Sequence, residues 1–197
     1  MEVLFATGNK NKVSEASEIF SKKGLSVLQL ELGGSTPEFI EPQSEDLEEI
    51  AVSKIEQARA MVRGTPLEHS AILVEDSGLF IDSLRNFPGP YSSYVERTIG
   101  LTGILKLLKE EENREAEFRA LAAISFDGKI VKAVGSCRGK IANSVIGEFG
   151  FGYDPIFIPY EGDGRTCGEM SRVEKSLISH RGRALKEVSE LLNPPSK

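Results

Sequence analysis

Leu47, Ile50, Ala51, Ile55, Ala58 and Val62 recur at the spacing of one helical face, and the segment that carries them stops near Gly64-Thr65-Pro66. A helix with such a face needs an apolar surface to cover, and the flanking sequence supplies candidates. Val3 to Ala6 is a short apolar run closed by the polar Thr7-Gly8-Asn9, after which Val13, Ala16 and Phe20 return at helical spacing. Leu25 to Leu30 and Ala71 to Val74 read as further strands, the latter central, and Gly33 to Ser44 as a loop. Phe118 to Phe126 and Ile130 to Val134 flank Asp127-Gly128, a tight-hairpin signal that implies antiparallel pairing. Alternating strands and helices with a hairpin predict an α/β protein on a mixed sheet.

The remaining segments are punctuated by Gly and Pro. Phe87 to Tyr91 reads as a rigid loop, Thr98 to Leu108 as a helix and Pro155 to Ile158 as a strand. The last helix starts at Ser171 with Glu174 completing a capping box, and its stripe is Val173, Leu177, Ala184, Val188 and Leu191. A chain of 197 residues suits a single domain, residues 1–197, or one core split into two lobes across a cleft.

Charge narrows the functional classes. Twenty-four Lys and Arg against 30 Asp and Glu give a net charge of −6, which repels duplex nucleic acid but leaves room for a small anion met by local cations and a metal ion. No apolar run is long enough to cross a bilayer, and the N-terminus enters a strand-like segment without a basic region and apolar core. Cys137 and Cys167 have neither CxxC spacing nor the density of a disulfide scaffold. The expectation is a soluble cytoplasmic protein with free thiols, binding neither nucleic acid nor membrane.

Four polar segments sit where an α/β fold exposes backbone to a crevice. Thr7-Gly8-Asn9-Lys10-Asn11-Lys12 lies between the first strand and helix, where free N–H groups and the helix dipole suit a phosphate, although the spacing also fits a solvated turn and is not that of a Walker A loop. Glu75-Asp76-Ser77-Gly78 ends an apolar run, and neighbouring carboxylates there can hold Mg²⁺, deprotonate a water, or form an exposed acidic turn. Gly150-Phe151-Gly152-Tyr153-Asp154-Pro155 can stack a base or pack beneath a turn. Lys175, Ser179, His180 and Arg181 cluster on the terminal helix, where His180 reads either as a core residue or as one wall of an anion or base pocket. His69 falls in a solvated loop.

In this order and at these separations, the four segments resemble the inosine triphosphatase family, the nucleoside-triphosphate pyrophosphatases also described as XTP/dITP diphosphatases. The likeness runs from Phe5-Ala6-Thr7-Gly8-Asn9 to Ser179-His180-Arg181-Gly182 and includes Phe87-Pro88-Gly89-Pro90-Tyr91-Ser92 and Glu169-Met170-Ser171. It implies a mixed twisted sheet flanked by helices in two lobes around a central cleft, a homodimer, and Mg²⁺-dependent cleavage of non-canonical purine triphosphates (ITP, dITP, XTP) to monophosphate and pyrophosphate.

By the same resemblance, Thr7, Gly8, Asn9, Lys10, Asn11, Lys12 and Lys54 hold the triphosphate, Asp76 is the proton acceptor and metal neighbour, and Ser77 touches substrate. Phe151, Gly152, Tyr153, Asp154, Lys175, His180 and Arg181 match the base pocket. The family's metal-binding glutamate has two counterparts here, Glu38 and Glu41; Glu41-Pro42-Gln43 fits the local pattern better, which gives a metal set of Glu41, Asp76 and Glu75.

The catalytic group is then Asp76 with Lys12 and Lys54, the lysines stabilising charge that grows on the leaving pyrophosphate. Donors from His180 and Arg181 would accept a 6-oxo purine and leave adenine facing donor to donor, a mismatch of about 1 to 3 kcal/mol. Two rivals use the same segments: a sensor that binds a triphosphate without cleaving it, and a pyrophosphatase for modified pyrimidine nucleotides.

Overall fold

The computed structural model describes residues 1–192. Its elements are β1 (Glu2–Phe5), α1 (Lys10–Ser21), β2 (Ser26–Gln29), α2 (Leu47–Val62), β3 (Ala71–Ile81), β4 (Pro88–Gly89), α3 (Ser92–Thr98), α4 (Gly100–Leu107), β5 (Glu115–Phe126), β6 (Lys129–Ile141), β7 (Phe157–Pro159), α5 (Arg172–Ile178) and α6 (His180–Leu192). The strands form one mixed sheet in the order β2-β1-β3-β5-β6-β7, with β4 paired to β3. β1 runs parallel to both β2 and β3, whereas β4 is antiparallel to β3 and β7 to β6.

The expected hairpin joins β5 to β6, and Asp127 (φ 48°) and Gly128 (φ 71°) both take the left-handed conformation that a two-residue turn of this type demands. All six stripe positions of α2 are buried.

The chain divides into two compact units. The first comprises residues 1–76, 120–135 and the segment from Arg181 onward; the second comprises 77–119 and 136–180. In the first, Phe5, Phe20, Leu73, Ile124, Leu185 and Val188 belong to one buried cluster. Each such side chain contributes about 1.5 to 3 kcal/mol relative to exposure. The second has its own cluster, including Leu79, Ile81, Ile104, Tyr153, Ile156 and Phe157. Cys137 and Cys167 are buried there with no disulfide among the described residues, and burial, more than the neighbouring Asp154 charge, pushes the Cys167 thiol up to about 12.

Three expectations are corrected. β3 does not end at Glu75 but runs on to Ile81, because cations neutralise its acids and its far end pairs with β4, Leu79 opposite Gly89. Gly78 is required in that stretch, since a Cβ there would lie 2.1 Å from the Gly89 carbonyl oxygen.

The helix expected over Thr98 to Leu108 is α4, and the turn at Gly100, φ 65°, parts it from α3, a preceding helix that the spacing did not announce. The terminal helix is split, with Ser179 extended at ψ 124°. The predicted Ser171–Glu174 capping box is present, but α5 buries none of its residues: Val173 and Leu177 are 74% and 77% exposed, and only Ala184 and Val188 of the stripe are buried. Around Pro155 the chain forms a 3-10 turn over Asp154–Ile156 before the short β7.

Candidate active site

In the first unit, β3 presents Glu75 and Asp76 in succession, and the alternation of a strand sends them to different partners. Lys12, in the first turn of α1, places its Nζ 2.7 Å from Glu75 Oε2 and 3.1 Å from the Glu75 carbonyl oxygen, to which it donates. Arg181 Nε also stands 3.2 Å from Glu75 Oε2, and its Nη1 donates to Glu15 Oε2 at 3.2 Å. The Glu75 side chain is wholly buried, and a buried carboxylate is tolerated only with such cations around it.

Asp76 turns to α2. Lys54 Nζ lies 2.7 Å from Asp76 Oδ1 and 2.5 Å from Glu41 Oε1, so one ammonium joins two carboxylates. Burial opposes the charge on Lys54, but Asp76 and then Glu41 outweigh it, and the lysine pKa is raised. Asp76 Oδ2 is buried with no hydrogen-bond partner among the described residues.

The entry to α1 is capped by its own sequence. Asn9 Oδ1 accepts from Asn11 N–H at 2.9 Å and Lys12 N–H at 3.3 Å, and Thr7 Oγ1 accepts from Asn9 N–H at 3.2 Å. Two of the helix-end amides expected to face a phosphate are therefore already capped. Gly8, Asn9, Lys10 and Asn11 remain exposed, and a Cβ on Gly8 would meet nothing within 4 Å.

The second unit holds a separate cluster. Asp154, buried, accepts on Oδ2 from Phe151 N–H at 2.8 Å and from Lys175 Nζ at 2.5 Å, and the same ammonium stands 4.5 Å from the centroid of the partly exposed Phe151 ring. Gly150 permits this turn: at φ 78° it leaves room that a Cβ, 2.1 Å from Asp154 Oδ2, would fill. Tyr153 is buried, its hydroxyl donating to the Ser92 carbonyl at 2.8 Å, and burial raises its pKa. The His180 ring stacks on Phe118 with centroids 4.8 Å apart and planes 8° from parallel.

A profile of the Ham1 family matches residues 3–191. The chain belongs to the Ham1 family. Curated relatives of this Ham1 chain include proteins named dITP/XTP pyrophosphatase from Pyrococcus horikoshii, 44% identical over 98% of this chain and 97% of the relative, and from Methanopyrus kandleri, 47% identical over 96% and 95%. The solved structure of the Staphylococcus aureus Ham1 protein superposes with a TM-score of 0.84 at 27% identity, covering all of both chains. A HAM1 protein from Coxiella burnetii gives 0.83 at 28%, covering 98% of each. The mixed sheet flanked by helices is thus the Ham1 fold.

Within this Ham1 chain, Lys12, Lys54, Glu41, Glu75, Asp76 and Arg181 are tied by ion pairs in the first unit. The three carboxylates expected to share a metal divide into a pair on Lys54, Glu41 with Asp76, and a separate acid, Glu75, on Lys12 and Arg181. Among the described residues no group of three or more His, Cys, Asp or Glu is arranged to hold a metal. Glu38 is exposed. Of the aromatic segment, Phe151 is the ring that a ligand can reach, while Tyr153 belongs to the packing. Ser77 and Gly152 are half-buried, and His69 is exposed as expected.

Sequence reasoning missed Glu15, which holds Arg181, and Gln57, which bonds Ile40. Each follows a singled-out lysine by three residues on the same helix, so the i, i+3 spacing was the available signal. Phe118, the stacking partner of His180, had none.

Proposed function

We propose that this Ham1-family chain hydrolyses non-canonical purine nucleoside triphosphates, ITP, dITP and XTP, to the monophosphate and pyrophosphate. Relatives 44% and 47% identical over nearly the whole chain are named for that activity. The observation that carries the reading is Lys54 held between Glu41 and Asp76, with Asp76 Oδ2 buried and unengaged among the described residues.

That oxygen also bears on the metal. The network counts three cations, Lys12, Lys54 and Arg181, against four carboxylates, Glu15, Glu41, Glu75 and Asp76, so by itself it does not attract a polyphosphate. Hard oxygen donors with one buried oxygen unsatisfied fit Mg²⁺, which commonly takes one or two carboxylates and completes its shell with water and substrate phosphate. Glu41 and Asp76 would hold it, with Glu75 supporting by fixing Lys12. When bound, Mg²⁺ neutralises phosphate charge and eases departure of pyrophosphate.

The residues of the chain supply the rest. Asp76 takes the proton of the water that attacks the α-phosphorus. Lys54 and Lys12 meet charge developing on the leaving group, an interaction stronger in the transition state than before it. Thr7 and the exposed residues 8–11 contact the phosphate chain, and Ser77 the substrate beside Asp76. Phe151 stacks the base, with Lys175 and Asp154 at its edge, and the His180-Arg181 step donates to a 6-oxo group.

The same resemblance implies a homodimer, which fits the large apolar side chains that the second unit exposes, Tyr94, Phe149, Val173 and Leu177 among them. Two buried cysteines that form no disulfide among the described residues fit a reducing cytoplasm. No helix among the described residues is long and apolar enough to cross a membrane.

The test is pyrophosphate release from ITP, XTP, dITP, GTP, ATP and pyrimidine triphosphates, with and without Mg²⁺. Monophosphate with pyrophosphate, from ITP, XTP and dITP and only with Mg²⁺, is expected. Orthophosphate as the product, or equal turnover of ATP and ITP, would overturn the reading. Light scattering at micromolar concentration tests the dimer.

A further inference from the structure

Glu41 lies in a segment, residues 36–44, that forms neither helix nor strand, and the side chain before it, Ile40, is 83% exposed. Packing of that side chain therefore does not fix the carboxylate. The backbone is held instead by a polar clamp. Gln57 Nε2 donates to the Ile40 carbonyl at 2.8 Å, and Gln57 Oε1 accepts from the Ile40 N–H at 2.9 Å, so one side-chain amide closes both hydrogen-bonding groups of the residue as a neighbouring strand would.

The amide nitrogen also donates back to α2, to Ser53 Oγ at 3.1 Å and the Ser53 carbonyl at 3.3 Å, so its donors and its acceptor are all engaged and its orientation is determined. Gln57 follows Lys54 by three residues, which puts both on one face of α2. That face seats the peptide of residue 40 and, through Lys54 Nζ at 2.5 Å, receives the carboxylate of residue 41.

We propose that Gln57 is a positioning residue for Glu41: it docks the 36–44 segment on α2 so that the Glu41 carboxylate is in place beside Asp76 before a cation arrives. Holding a loop residue in one backbone conformation costs entropy, and the clamp meets that cost during folding rather than on binding. The functional consequence rests on the reading of Glu41 as a Mg²⁺ ligand.

Gln57→Met keeps the length of the side chain and removes both bonds to Ile40. Two readouts are taken on the full chain: exchange of the Ile40 amide by NMR without metal or nucleotide, and the Mg²⁺ concentration giving half-maximal pyrophosphate release from dITP. Faster Ile40 exchange by about tenfold or more, with β3 amides unchanged, is expected. The Mg²⁺ midpoint should rise about tenfold, as for loss of a partner that orients a ligand, with a smaller change in kcat at saturating Mg²⁺. Gln57→Glu, which retains the acceptor for the Ile40 N–H, should fall between.

An Ile40 amide that exchanges as in the wild type overturns the proposal. So does an unchanged Mg²⁺ midpoint in Gln57→Met when Glu41→Ala raises it. If Glu41→Ala itself leaves the midpoint unchanged, the reading of Glu41 as a ligand fails instead, and Ile40 exchange alone then decides whether Gln57 is the clamp.

Discussion

Lys54 Nζ lies 2.7 Å from Asp76 Oδ1, tying the middle of α2 to the strand position beside Glu75. The pair is largely withdrawn from water, with side-chain exposures of 11% and 14%, so its charges interact more strongly than a surface pair would. Glu41 completes it from a loop, and the three groups form the centre around which the proposed chemistry is arranged.

Lys54→Met removes the ammonium that two carboxylates share. Turnover of dITP should fall by about a hundredfold or more, and stability by about 2 kcal/mol in urea unfolding at neutral pH. The raised Lys54 pKa sets the pH window: a lysine whose folded value exceeds its unfolded value stabilises fully below the ordinary lysine value of 10.5 and loses that contribution as pH climbs through the folded value. The stability difference between wild type and Lys54→Met should therefore be flat from neutral pH to about pH 10 and shrink above it. A difference that grew in alkali would contradict the pairing.

Asp76→Asn preserves shape and removes the proton acceptor. With Mg²⁺ saturating, kcat should drop by about 10² to 10⁴, while far-UV circular dichroism stays that of the wild type. Near-normal turnover in this variant would remove Asp76 from the mechanism.

Glu75→Gln leaves Lys12 and the buried Arg181 without the charge that both now face. Removing one member of a buried ion network costs about 3 to 5 kcal/mol, so the denaturation midpoint should fall well before any catalytic effect is separable. An unchanged midpoint would mean that the two cations find another counter-charge.

Lys175→Met takes away the cation over the Phe151 ring and the partner of Asp154, although Asp154 keeps its bond from the Phe151 N–H. The KM for dITP should rise by about tenfold or more, the scale of one charge-assisted hydrogen bond, with kcat changed less. Steady-state kinetics on dITP and on ATP check it. A loss confined to kcat would place Lys175 with the phosphates rather than the base.

Features with a local period were legible in advance. Every expected stripe position of α2 is buried, Asp127-Gly128 turns the hairpin, and Ser171 with Glu174 caps α5. Each depends on residues within one or two turns of one another, so the sequence states both partners together. The same local reading erred where burial needs a second surface. Val173 and Leu177 have helical spacing, yet α5 leaves them exposed. The segment of Tyr153 fits either a stacked base or packing beneath a turn, and the fold packs this ring with its hydroxyl on Ser92.

By itself, then, the sequence determined which segments coil into helices or extend into strands, and which polar segments carry the acids and lysines, because apolar period and capping chemistry are written within short windows. Tertiary structure alone decided which acid meets which cation: Lys12 reaches Glu75 across 63 positions of chain, and Arg181 reaches Glu15 across 166. No short-range pattern encodes such partners, since opposite charges attract without regard to separation along the chain and only the folded backbone brings them within a few ångströms.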